Sequence, residues 1–569
     1  MIIGSTGSGK TVCLVKPMVN LLAKKGESMI INDPKGELYK YCGDYLKSQD
    51  YNIVVLNFRE PDRGNAWNPL TMPYYYFKTG NVDKSIELLE DIANNILVDP
   101  KNKDSAFWEK SGADYFSALA LGLFRDGKEN EINLNSINLM SSVGEERMGV
   151  NTYIKEYFNL KGESSPEYIF GSTTFNAPND TKGGILSTFR QKIRIFASRE
   201  KLSEMLSYSD FDMRSIGEKK TAVFLIIHDE KTTYHSLLTV FLKQCYETLI
   251  EVAQSNGGKL SYRTNFILDE FANMPPLSDV DSMVSAARSR DIRFTFIIQN
   301  FAQLNDVYGK EVAETLKGNC GNLIYLISTE MAALEEISKM CGEVKSKEKD
   351  KTASTPLVTV TDLQKMKLFQ AIIKRLRMNP FKTQYEPDFK INWGIERKEL
   401  DFPYREHREV AMFDLKTYVS EEKRKKMLEN VSNGTPQMNM NNPFMASNPF
   451  MSMDMPMNRP TSMPNPFMPS SNPTLSSPPS SPLSGLNKPI SELTNEEIDQ
   501  MIENIDKLLK ESEEKEKELK QVEQKKEMEL PKLEEKKPEV EEKNIPKESL
   551  EEKPKINVDA DSIVMNDNV

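Results

Sequence analysis

Residues Gly4 to Thr11 read GSTGSGKT and fill the pattern GxxxxGK[ST] without a mismatch. Glycines in such a loop let successive backbone N–H groups turn inward without Cβ obstruction, and the helix that follows points its positive dipole end at the same spot. Phosphates settle there. On this reading Gly4, Ser5, Thr6, Gly7, Ser8, Gly9, Lys10 and Thr11 cradle the phosphates of a nucleoside triphosphate. Lys10 reaches the terminal phosphates as a point charge and the Thr11 hydroxyl holds Mg²⁺. The plain alternative is a glycine turn ahead of a helix.

A phosphate loop of this kind belongs to a strand–loop–helix unit, and the rest of the chain supplies suitable strands. Short β-branched runs bounded by turn residues predict strands at Met29–Asn32, Asn52–Phe58, Ala222–Ile227, Asn265–Leu268, Arg293–Ile298 and Asn322–Ile327. Helical patterns separate most of them, as a mostly parallel sheet covered on both faces requires. The fold class is α/β. The interval between the second and third strands is far longer than a crossover needs, so it predicts a domain of its own. Val82–Val98 and Asp104–Leu123 read as helices, with Phe107, Trp108, Ala113, Phe116, Ala118 and Leu121 forming apolar faces. The expected division is a core in two parts, 1–79 and 216–425, around an all-α insertion at 80–215.

Further candidates fall at strand ends. Phe266-Ile267-Leu268-Asp269-Glu270 is an apolar strand delivering two carboxylates to the sheet's carboxyl edge, where ligands of open α/β sheets bind. Facing the loop from an adjoining strand, Asp269 is expected to orient Mg²⁺ and Glu270 to polarise an attacking water. A helix cap is the bland reading of Asp269. Gln299 ends the next strand and sits next to Asp269 if the two strands are neighbours; there its amide senses the γ-phosphate or orients water, or merely caps. Arg288 and Arg290 lie in the turn before that strand, and either guanidinium can act across a subunit boundary, unless both are simply exposed. Asp33 in Asp33-Pro34-Lys35-Gly36-Glu37 either contacts the metal shell through water or makes an ordinary turn. His228, Asp229 and Glu230 close another strand, with no nucleophile in view, and read as loop residues.

Composition excludes other classes. Among 569 residues stand three His and five Cys with no CxxC or HxxxH spacing, which leaves no zinc site or disulfide framework and suits a reducing cytosol. No eighteen-residue apolar run or signal peptide is present. The net charge is −11, yet residues 487–569 alone hold 25 acids against 15 lysines, leaving 60 acids and 59 bases elsewhere. A nearly neutral body is not one that grips nucleic acid over its whole surface. Residues 426–489, rich in Met, Pro, Asn and Ser with NPFM at Asn442, Asn448 and Asn465, read as a linker. An amphipathic charged helix at 490–530 and a disordered acidic tail at 531–569 follow, the helix opening on Thr494 and Glu497 as in a capping box.

Taken together, GSTGSGKT, NDPKGEL (Asn32–Leu38), FILDEFANMP (Phe266–Pro275), SAARSRDIRF (Ser285–Phe294) and IIQNFAQLNDVYG (Ile297–Gly309) resemble the TraG/TraD-like coupling ATPases of type IV secretion and conjugation, over about residues 1–400. The resemblance implies a RecA-like P-loop core in a homo-hexameric ring with an inserted all-α domain. It implies ATP-driven movement of single-stranded DNA with its relaxase toward the secretion channel components. It also implies an anchor in the inner membrane, the protein facing the cytoplasm, although these residues taken alone predict a cytoplasmic chain. Carried over by motif, Arg288 aligns with the family's trans-acting arginine and Gln299 with its sensor amide.

The family has two transmembrane helices and a strand ahead of the phosphate loop, whereas only Met1, Ile2 and Ile3 precede Gly4. A buried strand needs about five residues. The expectation is therefore a member missing its N-terminus, through truncation or a late start codon. Its sheet would lack most of the first strand and its loop would be held only from the helix side. Two rival readings stand beside this one: a ring DNA translocase of the chromosome-partition type, and a substrate receptor with an idle ATP site.

Overall fold

Runs such as Met29-Ile30-Ile31 and Val54-Val55-Leu56 are apolar on both faces, so they are stable only where helices cover the sheet on both sides. In the computed structural model, which describes residues 1–432 apart from 100, 101, 103, 229–231 and 349–350, they lie in such a sheet. Its strands are β1 (Ile2–Ile3), β2 (Ser28–Asn32), β3 (Asn52–Asn57), β4 (Thr221–Ile226), β5 (Thr264–Leu268), β6 (Ile292–Ile298), β7 (Asn322–Tyr325), β8 (Gln370–Arg375) and β9 (Phe381–Gln384). The order across the sheet is β9-β8-β7-β1-β6-β5-β2-β4-β3. Strands β1 to β7 are mutually parallel, and the β8–β9 hairpin extends the sheet antiparallel to β7. All six predicted strands are present. The two hairpin strands add to these: β8 buries Ala371 and Ile372, whereas β9 is mostly exposed, and neither is a continuous apolar run of the kind that marks the other six.

Two expectations are corrected here. The acid-bearing β5 does not adjoin the phosphate-loop strand, because β6 is inserted between them. The loop is also not held from its helix side alone. Short as it is, β1 pairs on both flanks, Ile2 and Ile3 opposite Ile297 and Ile298 on β6 and opposite Ile324 and Tyr325 on β7. The pairing continues into the loop, where Gly4 N–H donates to the Ile298 carbonyl at 3.2 Å and Ser5 N–H to the Ile327 carbonyl at 2.7 Å. A strand clamped between two neighbours gains bonds on both edges, which offsets its length.

Between β3 and β4 the chain forms a helical layer, including Val82–Leu97, Ala106–Asp126 and Asn179–Ala197. Its helices begin already at Thr71, and a small hairpin, Arg147–Met148 with Asn151–Thr152, interrupts them. Most of the apolar face expected on the second predicted helix is covered, but Phe107 is 59% exposed at its first turn.

After β9 the chain runs back across the molecule. Buried Asp388 accepts from Asn20 Nδ2 at 3.1 Å and from Trp393 Nε1 at 2.9 Å, and Phe402 stacks on Tyr39 with centroids 5.2 Å apart. The strap ends in helix Leu415–Ser432, packed on helix Tyr153–Lys161 of the helical layer. There the Lys161 ammonium is paired with Asp126 and lies over the Tyr157 and Tyr418 rings, 4.8 and 5.0 Å from their centroids. Helix thus continues past the boundary placed at 426. The remainder of the predicted linker, its NPFM repeats, the helix at 490–530 and the acidic tail lie outside the described residues.

Candidate nucleotide site

The loop after β1 owes its shape to two glycines in the left-handed region, Gly7 at φ 77° and Gly9 at φ 88°. Lys10 is buried, and its ammonium donates to the loop's own carbonyls, Gly4 O at 2.7 Å and Ser5 O at 3.3 Å. The next turn, Thr11–Val15, is wider than an α-helix before regular helix begins at Lys16. Pro17 explains the widening: with no N–H it cannot bond the Cys13 carbonyl, and Lys16 N–H reaches back to Thr11 O instead. The Ser8 hydroxyl is buried with no hydrogen-bond partner among the described residues, beside the cradle.

On the far side of β6, β5 ends at Leu268 and the chain turns sharply. Glu270 sits at φ 51°, and its N–H donates to Asp269 Oδ1 at 3.0 Å. Asn32, at the end of β2, donates its amide to the Asp269 carbonyl at 2.6 Å and so fixes the turn from the neighbouring strand. The Asp269 carboxyl is pushed up to about 6 by burial first and by the Glu270 charge second, with Lys10 opposing. Because β6 lies between β1 and β5, Gln299 at its tip stands beside the acids and donates Nε2 to Glu270 Oε2 at 2.9 Å. Asn273 donates to the same oxygen at 3.2 Å. The structure therefore gathers Lys10, Asp269, Glu270 and Gln299 at one edge of the sheet.

Arg288 is elsewhere. It is exposed at the amino end of β6, so the length of that strand, about 20 Å for an extended segment of this size, separates it from the loop of its own chain. Together with Arg293, Lys374 and Arg375 it lines a cavity of about 1240 Å³ at the opposite edge of the sheet. Arg290 donates to the Ala286 carbonyl at 3.0 Å. Asp33 sides with the turn reading: one carboxylate oxygen accepts the backbone N–H groups of Leu38 and Tyr39 at 3.0 and 2.9 Å and closes the start of helix Glu37–Ser48. His228 lies at the end of β4, whereas Asp229 and Glu230 fall outside the described residues. Asn32 and Asn273 were inside the quoted motifs yet went unassigned. Another residue without any sequence signal is His235, whose ring nitrogens face the carbonyls of Asn273 at 3.1 Å and His228 at 2.7 Å.

Among the described residues no three His, Cys, Asp or Glu side chains form a self-contained metal cluster. The oxygens present, the Thr11 hydroxyl and the half-buried Asp269 carboxylate, are the hard donors Mg²⁺ prefers, and they fit a cation whose remaining ligands are phosphate and water.

Comparison with known proteins decides the lineage. The family model for type IV secretory system conjugative DNA transfer matches residues 1–367. This chain belongs to that family. The coupling protein TraD of Escherichia coli K12 is 24% identical over 314 residues, 55% of this chain and 39% of TraD. VirD4 of Rhizobium rhizogenes is 23% identical over 359 residues, 60% of this chain and 49% of VirD4. The chain thus spans about half the length, or less, of these curated relatives. Among solved structures, the plasmid coupling protein TrwB with the GTP analogue GDPNP superposes at TM-score 0.53 and 17% identity, covering 71% of this chain and 86% of that one. TrwB with ADP and Mg²⁺ superposes at 0.51 and 16%, with the same coverage. The likeness establishes the shared RecA-like fold. No described helix is long and apolar enough to cross a membrane.

Proposed function

We propose that this conjugative-transfer chain is the ATP-hydrolysing motor part of a coupling protein, moving single-stranded DNA with its relaxase to a type IV secretion channel. The observation that carries the proposal is the convergence of the glycine cradle, Lys10, Asp269, Glu270 and Gln299 on one sheet edge, with Gln299 bonded to Glu270. When bound by Thr11 and Asp269, Mg²⁺ neutralises phosphate charge. The protein's own groups do the rest. Inward N–H groups of the loop bind the phosphates, and Lys10 exchanges its bonds to Gly4 and Ser5 for the terminal ones. Glu270 accepts the proton of an attacking water while Gln299 and Asn273 hold one of its oxygens in place.

Arg288 enters from a second copy. Its distance from its own loop and its place in a cavity with Arg293, Lys374 and Arg375 suit a surface that receives a neighbour's phosphates, as a homo-hexameric ring provides. The channel components and a membrane anchor are part of the same proposal, on the resemblance to coupling ATPases that the motifs carry.

The test is nucleotide turnover by the full chain with and without single-stranded DNA. ATP hydrolysis stimulated by DNA and abolished in Lys10→Ala supports the motor. Nucleotide binding without turnover, with relaxase capture intact, would replace it with the receptor reading.

A further inference from the structure

The turn that leads into β8 contains an unexpected residue. Gln370 N–H donates to the Lys367 carbonyl at 3.0 Å, closing a four-residue turn, and Gln370 Oε1 accepts the Lys367 N–H at 2.9 Å. The third position of that turn is Phe369 at φ 66°, whereas Leu368 is not left-handed. This is the type II geometry, whose third position favours glycine or asparagine. A bulky aromatic there is strained, and such outliers cluster at ligand sites.

The strain places a ring against the phosphate loop. A Cβ added to Gly9 would lie 2.9 Å from both Cδ1 and Cε1 of Phe369, so only glycine lets the loop and the ring meet so closely. Phe369 is half-buried, and its carbonyl accepts the N–H of Tyr385 at 2.9 Å, a second half-buried aromatic packed in the same cluster as Val12 and Cys13. Register fixes the side. Ile372 of β8 stands opposite Tyr325 of β7, which stands opposite Ile3, so Phe369 lies beyond the carboxyl end of β7, beside the phosphate loop. Asp269, Glu270 and Gln299 lie on the opposite side of β1, toward β5 and β6. A triphosphate with its terminal group at those carboxylates directs its ribose and base away from them, toward β7 and β8.

We infer that Phe369, flanked by Tyr385, is the platform on which the nucleotide base stacks. This rests on the nucleotide reading above. The base contact is a π-face, so it favours the large rings of purines over pyrimidines and does not read hydrogen-bonding edges.

Tripolyphosphate with Mg²⁺ tests this directly, because it occupies the glycine cradle but has no base. Affinities of Mg·ATP and Mg·tripolyphosphate are measured by calorimetry for the full chain, for Phe369→Leu, which keeps apolar bulk against Gly9, and for Phe369→Gly, which relieves the turn. The expected result is ATP binding weakened about tenfold in both variants, the size of one lost base–aromatic stack, with tripolyphosphate affinity unchanged within twofold. Equal losses for both ligands would make the ring a prop for the loop and overturn the inference, as would unchanged ATP affinity. Failure of the unaltered chain to bind either ligand would overturn the nucleotide reading and the inference with it.

Discussion

Replacing Asp33 by asparagine is expected to stabilise the protein at alkaline pH, although the side chain is buried and doubly hydrogen-bonded. Burial is the largest influence on this carboxyl. The N–H groups of Tyr39 and Leu38 counter it, the nearby charges of Glu37 and Asp269 add to it, and the result is a rise from 3.8 to about 6. A carboxyl that ionises later in the folded chain than in the unfolded one binds an extra proton when folded, so stability grows as pH falls through 6. The increment is complete below 3.8 and gone above 6. Its full size is roughly 3 kcal/mol, from about 1.4 kcal/mol per tenfold change in proton affinity. At pH 8 the native state therefore bears the whole cost of a desolvated charge. Asp33→Asn removes the charge and keeps an oxygen acceptor for Leu38 and Tyr39. The weaker neutral bonds give back about 1 kcal/mol, leaving a net gain of about 1–2 kcal/mol at pH 8. Thermal unfolding monitored by circular dichroism at pH 8 and at pH 5 measures it: the variant should melt higher at pH 8, and the gap should close or reverse at pH 5. A variant that melts lower than the parent at pH 8, or a gap independent of pH, would refute the reasoning.

Three catalytic predictions accompany it. Glu270→Gln should bind Mg·ATP as the parent does while turnover falls by about 10²- to 10⁴-fold, the usual contribution of a general base; equilibrium binding beside steady-state hydrolysis separates the two. Gln299→Ala deletes one charge-assisted bond to Glu270 and should lower kcat by about tenfold or more with little change in KM; a change confined to KM would place Gln299 in binding instead. Arg288→Ala and Lys10→Ala should each be inactive alone, and mixing the two should restore part of the activity by pairing an intact loop with an intact arginine; no recovery in mixed assemblies argues against action between subunits.

The core was legible in sequence because its signals are local. Apolar runs announce buried strands, glycine spacing announces the phosphate loop, and an acid pair after an apolar run announces a carboxyl-edge site. What escaped was set by pairing between distant segments. No local pattern says that β6 lies between β1 and β5; the expectation for Gln299 needed only that β5 and β6 be neighbours, and there it holds. The stability of a two-residue β1 likewise depends on neighbours some 300 positions away, Ile297 and Ile324. Phe369 was invisible because its significance is a backbone angle, and φ is not written in residue type. The Asp33 ambiguity was resolved only by two backbone donors supplied by the next helix.

The return of helix Leu415–Ser432 to the helical layer, clasped there by Lys161 with Asp126 and Tyr418, has a mechanical corollary. A force applied to the chain beyond Ser432 is taken up by the helices before it reaches the sheet. It would tug the inserted layer first and reach the sheet edge bearing Lys10, Asp269 and Glu270 second-hand, and conversely a tilt of those helices would displace Ser432.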